Sequence, residues 1–438
     1  MKRFYFYFKW VLGVGLSLGL VIGLGYYIGA WPGFPPGADA YAHMSKVKYI
    51  LSFWPHIWWN YQWALGMPHF LWYAPLPYFL ATILVKLKIT QIDSSMIALA
   101  IIGLVGISWG VYGSVATLTK KHLLAFLAVL LVLFSPVVWG DTIWGGYYPR
   151  TLGIGFFSLF IWSLLSLLQK IRKGEQKTKF LFILNIILLA LTLQFHNISG
   201  LAGLAAGLFL ILFCQGPSKI KLYLKLTLPA LAISSYLYLP MLFSYTPSRF
   251  LGVVLENIPK ITPSLFWSPA VFITKGGGSI FSWILPLVVI LWLIIVLVKI
   301  FGYSENKAQL KFGFGLLVFS LLFFIYALWR NLGLPAKWYI NGFSHTNALL
   351  FFTIISSIEI VVLFNALFWL EKKGKRLFDQ FLRISLFSIF SLVIISFVAI
   401  SFINQERSPQ AEKAVEMDLI KVDEKEKQYR FGTVSYGE

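Results

Sequence analysis

Long apolar runs, separated by short polar stretches in which lysine and arginine collect, set the pattern of this chain. A helix needs about 20 mostly apolar residues to cross a bilayer. Eleven segments meet or approach that length: Trp10–Ala30, Met96–Leu118, Leu123–Trp139, Thr151–Gln169, Phe180–Phe195, Ile198–Phe213, Leu226–Phe243, Phe281–Lys299, Phe312–Trp329, Thr346–Leu370 and Ile384–Ile403. A further stretch, Leu71–Leu87, is broken by Pro75 and Pro77 and flanked by Lys86 and Lys88, which suits an interfacial or re-entrant helix.

The basic loops orient the crossings. The segment 169–179 carries Lys170, Arg172, Lys173, Lys177 and Lys179, and cytoplasmic loops are the ones that gather such residues. Counting outward from it puts Lys120-Lys121, Lys219/Lys221/Lys225, Lys299/Lys307/Lys311 and Lys372/Lys373/Lys375/Arg376 on the same side. Lys2, Arg3 and Lys9 join them only if Leu71–Leu87 does not cross. The expected fold is therefore an all-α polytopic membrane protein of about 11 transmembrane helices, amino end cytoplasmic and carboxyl end outside. Residues 1–403 form the membrane module. Residues 31–95 form a large first outer loop with juxtamembrane helices. Residues 404–438 form an outer tail whose composition shifts sharply, like the opening of an outer domain cut short.

Composition agrees. Of 438 residues 58% are hydrophobic and only 12% charged, against roughly a quarter charged in soluble domains. The formal charge of +20 sits in clusters between apolar runs, so it reads as membrane orientation and not as nucleic-acid binding. Cys214 is alone and offers neither a disulfide nor a thiolate metal site within the chain. The run after Met1-Lys2-Arg3 is long enough to span, and reads as a start-transfer helix that is retained.

Carboxylates are scarce, which singles out Asp39 and Asp141 at outer helix boundaries. Asp39 lies in Gly37-Ala38-Asp39-Ala40-Tyr41-Ala42-His43, and on the helix that follows Asp39 and His43 share a face. Asp39 reads either as an N-cap or as a functional carboxylate. Asp141 reads as a second acid or as an ion-pair partner of Arg150. Arg150, Lys275, Arg330, Lys337 and His345 suit a phosphate or pyrophosphate, or else snorkel toward headgroups. His196-Asn197 reads as a turn between two short helices or as a ligand, and Glu359 stands in mid-span with no evident partner. Lys275-Gly276-Gly277-Gly278-Ser279 lacks the context of a phosphate loop.

Taken in order, the Gly37–His43 motif, Trp72-Tyr73-Ala74-Pro75-Leu76-Pro77-Tyr78, the loop Asp141–Arg150 and His196-Asn197 resemble the glycosyltransferase-C superfamily. They are most similar to its prokaryotic branch of 6-pyruvoyl-tetrahydropterin synthase-related membrane proteins. The resemblance extends to about Asn197, and Ala74 stands where that branch usually has proline. It implies a membrane enzyme that takes a sugar from a polyprenyl-phosphate donor and passes it to a glycan, lipid or protein acceptor at the outer face. Catalysis would then rest on Asp39, Asp141 and His43, with substrate held by Arg150, Tyr148, His196, Asn197, Arg330, Lys337 and His345. The cofactor is left open, since magnesium or manganese finds no paired acidic ligands in the second loop. A lipid or glycolipid flippase and a non-catalytic membrane scaffold are the competing readings.

Overall fold

The computed structural model describes residues 2–27, 37, 39–57, 59–60, 67–68, 70, 73–139, 142, 146–213 and 219–244, with scattered positions between 318 and 362. Over the described residues, each of the first seven apolar segments is helical. Helix α1 spans Lys2–Tyr27, α2 Ala40–Phe53, α3 Leu76–Lys86, α4 Ile92–Thr119, α5 His122–Leu133, α6 Pro136–Trp139, α7 Tyr148–Arg172, α8 Lys179–Phe195, α9 Asn197–Phe213 and α10 Lys219–Ser244. Among the described residues, the first loop departs from the all-helical expectation in one place. Strands β1 (Trp59–Asn60) and β2 (Met67–Pro68) pair antiparallel, Trp59 opposite Pro68.

Among the described residues, α4 and α7 are long and apolar enough to cross a membrane by length and composition. At 1.5 Å per residue, the 14 residues of α2 and the 11 of α3 reach only about 21 and 16 Å, short of a hydrocarbon core of about 30 Å. The segment expected as one helix over Leu123–Trp139 is two. Pro136 has no N–H to give and disfavours helical geometry at Ser135, so α5 stops at Leu133 and α6 restarts at Pro136. The Trp139 indole N–H donates to the freed carbonyl of Leu133 at 2.6 Å.

The most extensive helix contact joins α4 to α7. Gly103 lies against Thr151, Gly106 against Gly155 and Gly110 against Ser158, so the two helices run parallel with a constant offset. A Cβ on Gly110 would fall 2.3 Å from the Ser158 carbonyl carbon, and one on Gly155 would fall 2.4 Å from Gly103 O. Backbones approach that closely only where glycine and serine line the seam, because association between apolar helices in lipid depends on such contact. Farther along, Thr117 Oγ1 meets Ser166 Oγ at 3.3 Å, and Lys120 Nζ donates to Gln169 Oε1 at 3.4 Å.

This register sorts the bundle into two ends. Lys120 and Lys121 lie at the same end as the carboxyl end of α7, with Lys170 and Arg172, and therefore with the start of α8 at Lys179. Lys219 opens α10 there too, its ammonium donating to Leu212 O of α9 at 2.8 Å. Gly13 of α1 sits against the Tyr112 ring, toward the same end of α4. The opposite end gathers the starts of α4 and α7, the α8–α9 junction, and the two short helices α2 and α3. Phe351 packs edge-on to Phe157 at 4.9 Å, and Phe319 meets Phe209 at 5.9 Å. Phe351, Ile354, Ile355, Ile358 and Val362 are buried at helical spacing.

Candidate functional site

The site is built at the end away from the lysines, and α2 is its frame. Ala40, His43, Val47 and Ile50 are buried at helical spacing, which fixes the face that α2 turns to the bundle. Asp39, His43 and Lys46, at i, i+4 and i+7, stand along that face. Asp39 occupies the N-cap position but does not cap. Its φ of −94° and ψ of 1° differ from the extended backbone of capping residues, and no side-chain cap hydrogen bond forms. The carboxylate is therefore not spent on the helix. It is half-buried, and desolvation raises its pKa above the ordinary value despite the opposing fields of Arg150 and Lys46.

Residues of the Trp72–Tyr78 motif wall this face. Pro75 takes the N-cap position of α3 and Pro77 lies in its first turn, where proline's missing N–H costs nothing. The helix thus begins where it can aim Tyr78 at α2. Tyr78 Oη and His43 Nδ1 share a hydrogen bond of 2.9 Å. The rings of Tyr73, Tyr78 and Tyr148 surround the imidazole with centroids 6.1, 5.8 and 6.4 Å away. Burial, helped by Lys46 and Arg150, pushes the His43 pKa down to about 3, so the ring is neutral at physiological pH. Burial also raises the Tyr78 phenol well above its usual value and keeps it protonated.

The second loop reaches the first through a glycine. Gly146 has φ +65°, in the left-handed region that favours glycine, and a Cβ there would fall 2.9 Å from Ala40 N and 3.2 Å from Asp39 N. Only a residue without a side chain lets the loop lie against the turn at Asp39. On its other flank the loop is tied by Thr142, whose hydroxyl meets Thr151 Oγ1 at 2.9 Å. Arg150, in the first turn of α7, stacks its guanidinium over the Tyr147 ring with Cζ 3.8 Å from the centroid.

The α8–α9 junction closes the cluster. His196 is the residue between the two helices, so the turn reading is correct, yet it does more than turn. The Ser199 N–H donates to His196 Nδ1 at 3.3 Å, and Ser199 Oγ lies 2.8 Å from the same nitrogen. Nδ1 therefore accepts, which puts the proton of the neutral ring on Nε2. Burial, then Arg150 and His43, depress its pKa well below the usual range. A Cβ on Gly153 of α7 would fall 2.6 Å from the His196 Cβ, and this close approach holds the junction one turn from Arg150. Asn197 opens α9 beside it.

The structure thus brings together Asp39, His43, Tyr148, Arg150, His196 and Asn197 from the candidates read in the sequence. Tyr148 is a buried wall residue packed on His43. Asp141, Arg330, Lys337, His345, Lys275 and Glu359, together with the tail, lie outside the described residues. Sequence reasoning missed Lys46, Tyr73 and Tyr78. Lys46 was legible as the next heptad position after Asp39, and both tyrosines lie in a motif noted for resemblance alone. Among the described residues no three of His, Cys, Asp and Glu gather as a metal centre requires, and the positive charge near Asp39 comes from Lys46 and Arg150.

No family model matches the sequence, and no curated protein matches it either. Its fold does match solved structures. The oligosaccharyltransferase of Archaeoglobus fulgidus, in complex with zinc and sulfate, superposes with a TM-score of 0.56 at 15% identity, covering 90% of this chain and 53% of that one. The archaeal oligosaccharyltransferase AglB of the same organism, in complex with an inhibitory peptide and a dolichol-phosphate, gives 0.54 at 15% identity over 91% of this chain and 56% of that one. The enzyme tethered to an acceptor peptide containing the NVT sequon gives 0.53 at 14% identity. The chain spans about half the length of these proteins, and what it shares with them is their fold.

Proposed function

We propose that this chain is a membrane glycosyltransferase that moves a sugar from a polyprenyl-phosphate-linked donor to a glycan, lipid or protein acceptor at the outer face of the cell membrane. The observation that carries the reading is the uncapped, half-buried Asp39 carboxylate at the turn where the first and second loops meet, with two cations and two neutral histidines close by. The fold shared with oligosaccharyltransferases supports it. Lysine clustering at the opposite end supports a cytoplasmic assignment for that end and an extracytoplasmic one for the site. The eleven-span topology, the separate tail and the pyruvoyl-tetrahydropterin synthase-related branch belong to the same proposal.

In the reaction, the acceptor's hydroxyl or amide proton passes to the Asp39 carboxylate. The freed electron pair forms the new bond to the anomeric carbon, and the bond from that carbon to the phosphate oxygen breaks. The lipid phosphate leaves with that electron pair, toward Arg150, whose planar fork suits phosphate. A raised pKa makes Asp39 a stronger base than an exposed carboxylate. His196, with its proton on Nε2, offers a donor without adding charge. Asp141 is the proposed second acid, and Arg330, Lys337 and His345 are further proposed phosphate contacts. No step is routed through a metal.

Asp39→Asn is nearly isosteric and removes only the basicity. Transfer from a labelled polyprenyl-phosphate sugar should fall by about 100- to 10,000-fold, the usual weight of a positioned base. The variant should keep the parent's melting temperature in detergent. Undiminished product would reject the assignment.

A further inference from the structure

His43 and His196 come to the site from different helices, and each imidazole has its Nδ1 engaged by a neighbour. At His196 the direction of that bond is fixed, because the Ser199 N–H can only donate. At His43 it follows from the burial of the partner. Tyr78 is fully buried and its phenol keeps its proton. The hydroxyl meets His43 Nδ1 at 2.9 Å. Were Nδ1–H the donor in that bond, the phenolic proton would be stranded inside the bundle, which buried polar groups avoid. Tyr78 therefore donates, Nδ1 accepts, and the proton of the neutral His43 ring sits on Nε2, as it does at His196. The two rings are close enough for His43 to bear on the charge state of His196, and Arg150 bears on both.

Uncharged donors suit a reacting sugar. As the bond to phosphate lengthens, positive charge builds at the anomeric carbon, and a cation held against the sugar oxygens would oppose it. A neutral N–H holds a hydroxyl or ring oxygen without that opposition. Arg150 supplies charge where the phosphate departs, so the two kinds of donor have different ligands.

We propose that Tyr78 and Ser199 are positioning residues that hold His43 and His196 as paired neutral Nε2–H donors for the hydroxyl and ring oxygens of the donor's sugar. The sugar as ligand rests on the transferase reading, whereas the tautomers do not.

Nitrogen-15 NMR of the histidine side chains, on the full chain in detergent, reads each tautomer, because protonated and bare ring nitrogens resonate far apart. The signals are assigned from His43→Asn and His196→Asn. In wild type at neutral pH both rings should show a bare Nδ1 and a protonated Nε2. Tyr78→Phe keeps the ring and removes the hydroxyl, so His43 should pass to a mixture of tautomers while His196 keeps its own. Its kcat/KM with a labelled polyprenyl-phosphate sugar should fall about 2- to 10-fold, the weight of one neutral hydrogen bond. Its calorimetric affinity for a short-chain isoprenyl monophosphate, which carries no sugar, should match the parent's. A protonated Nδ1 on either ring in wild type would overturn the proposal, and so would a His43 tautomer that Tyr78→Phe does not move. Undiminished transfer once the tautomer has moved, or equal weakening of the monophosphate, would take the sugar away from these donors. The expected tautomers with no transfer from any polyprenyl-phosphate sugar would sink the transferase reading, and the sugar contact with it, and leave the two locked imidazoles standing.

Discussion

The α4–α7 seam and the cluster around Asp39 are both rich in small and polar residues, but they use them in opposite ways. Along the glycine-lined part of the seam, polar side chains turn back on their own helix, and bonds across it appear only toward the lysine end. Ser108 donates to Leu104 O, Ser114 to Gly110 O, Ser158 to Ile154 O and Thr119 to Val115 O, each four residues back. In the cluster, polar groups reach across elements. His43 meets Tyr78, 35 positions away, Lys46 lies under Tyr73, and Arg150 and His196 bear on Asp39 or His43 from other helices. A hydroxyl that gives its proton to its own helix keeps only its acceptor lone pairs for anything else, whereas groups contributed by separate elements converge on a shared space. The seam therefore holds the helices together, and the cluster is where the proposed chemistry is placed.

Glycine gives the sharpest break in that comparison, since it serves the seam and not the surface. Gly110→Leu puts a branched side chain where even a Cβ would lie 2.3 to 2.6 Å from Ser158. Nothing there can yield without separating two backbones, so the cost should exceed the usual 1–3 kcal/mol (approximately) of an overpacked core. The variant should be lost from the monodisperse peak on size exclusion in detergent. Gly19→Leu on α1 is the control, as no atom lies within 4 Å of its added Cβ, and it should melt with the parent. Equal behaviour of the two variants would deny the seam its role.

A smaller effect probes the cluster through pH. The Asp39 carboxylate must be ionised to accept a proton, and its pKa lies above the ordinary 3.8, so transfer should fall as pH drops through a point above that value. Above that point the profile should be flat through neutrality. His43, lowered to about 3, and His196, lowered well below 6.5, supply no inflection near neutrality. A histidine-like limb near 6.5, measured in kcat/KM for the proposed transfer, would mean that one of these imidazoles is charged in the functioning protein.

Much of the fold could be read from apolar run lengths, because a bilayer-spanning helix must satisfy its own backbone and so shows itself in composition. Pro136, which splits α5 from α6, was visible in the sequence but was outweighed by the hydrophobic run on both sides. At the site, Asp39 and His43 were legible from their four-residue spacing. That Asp39 leaves its cap unused was not, since it depends on a ψ near 0°. Lys46 escaped notice because a lysine near a membrane helix ordinarily snorkels to water, whereas here Tyr73 and Tyr78 arrive over it from a distant arm. Gly146 read as a loop residue, while its function is to let one loop lie against another.

The smallest predicted effect tests the seam from its polar side. Ser108 is fully buried in α4, and its hydroxyl donates to Leu104 O at 2.9 Å. That carbonyl already lies in the helical ladder as the acceptor of the residue 108 amide, so its second bond is supplementary. Ser108→Ala removes a donor and an acceptor together, leaves no buried polar atom stranded, and opens a space smaller than a methyl group. The change in stability should be about 0.6 kcal/mol or less, in line with interhelical polar contacts in membrane proteins. Chemical denaturation in mixed micelles measures it, and transferase activity should be unaltered. A loss above about 2 kcal/mol, the scale of a stranded buried partner, would mean that the Ser108 hydroxyl serves a group on another element. The seam and the cluster would then differ in degree only, and the case for confining the chemistry to one end of the bundle would weaken with them.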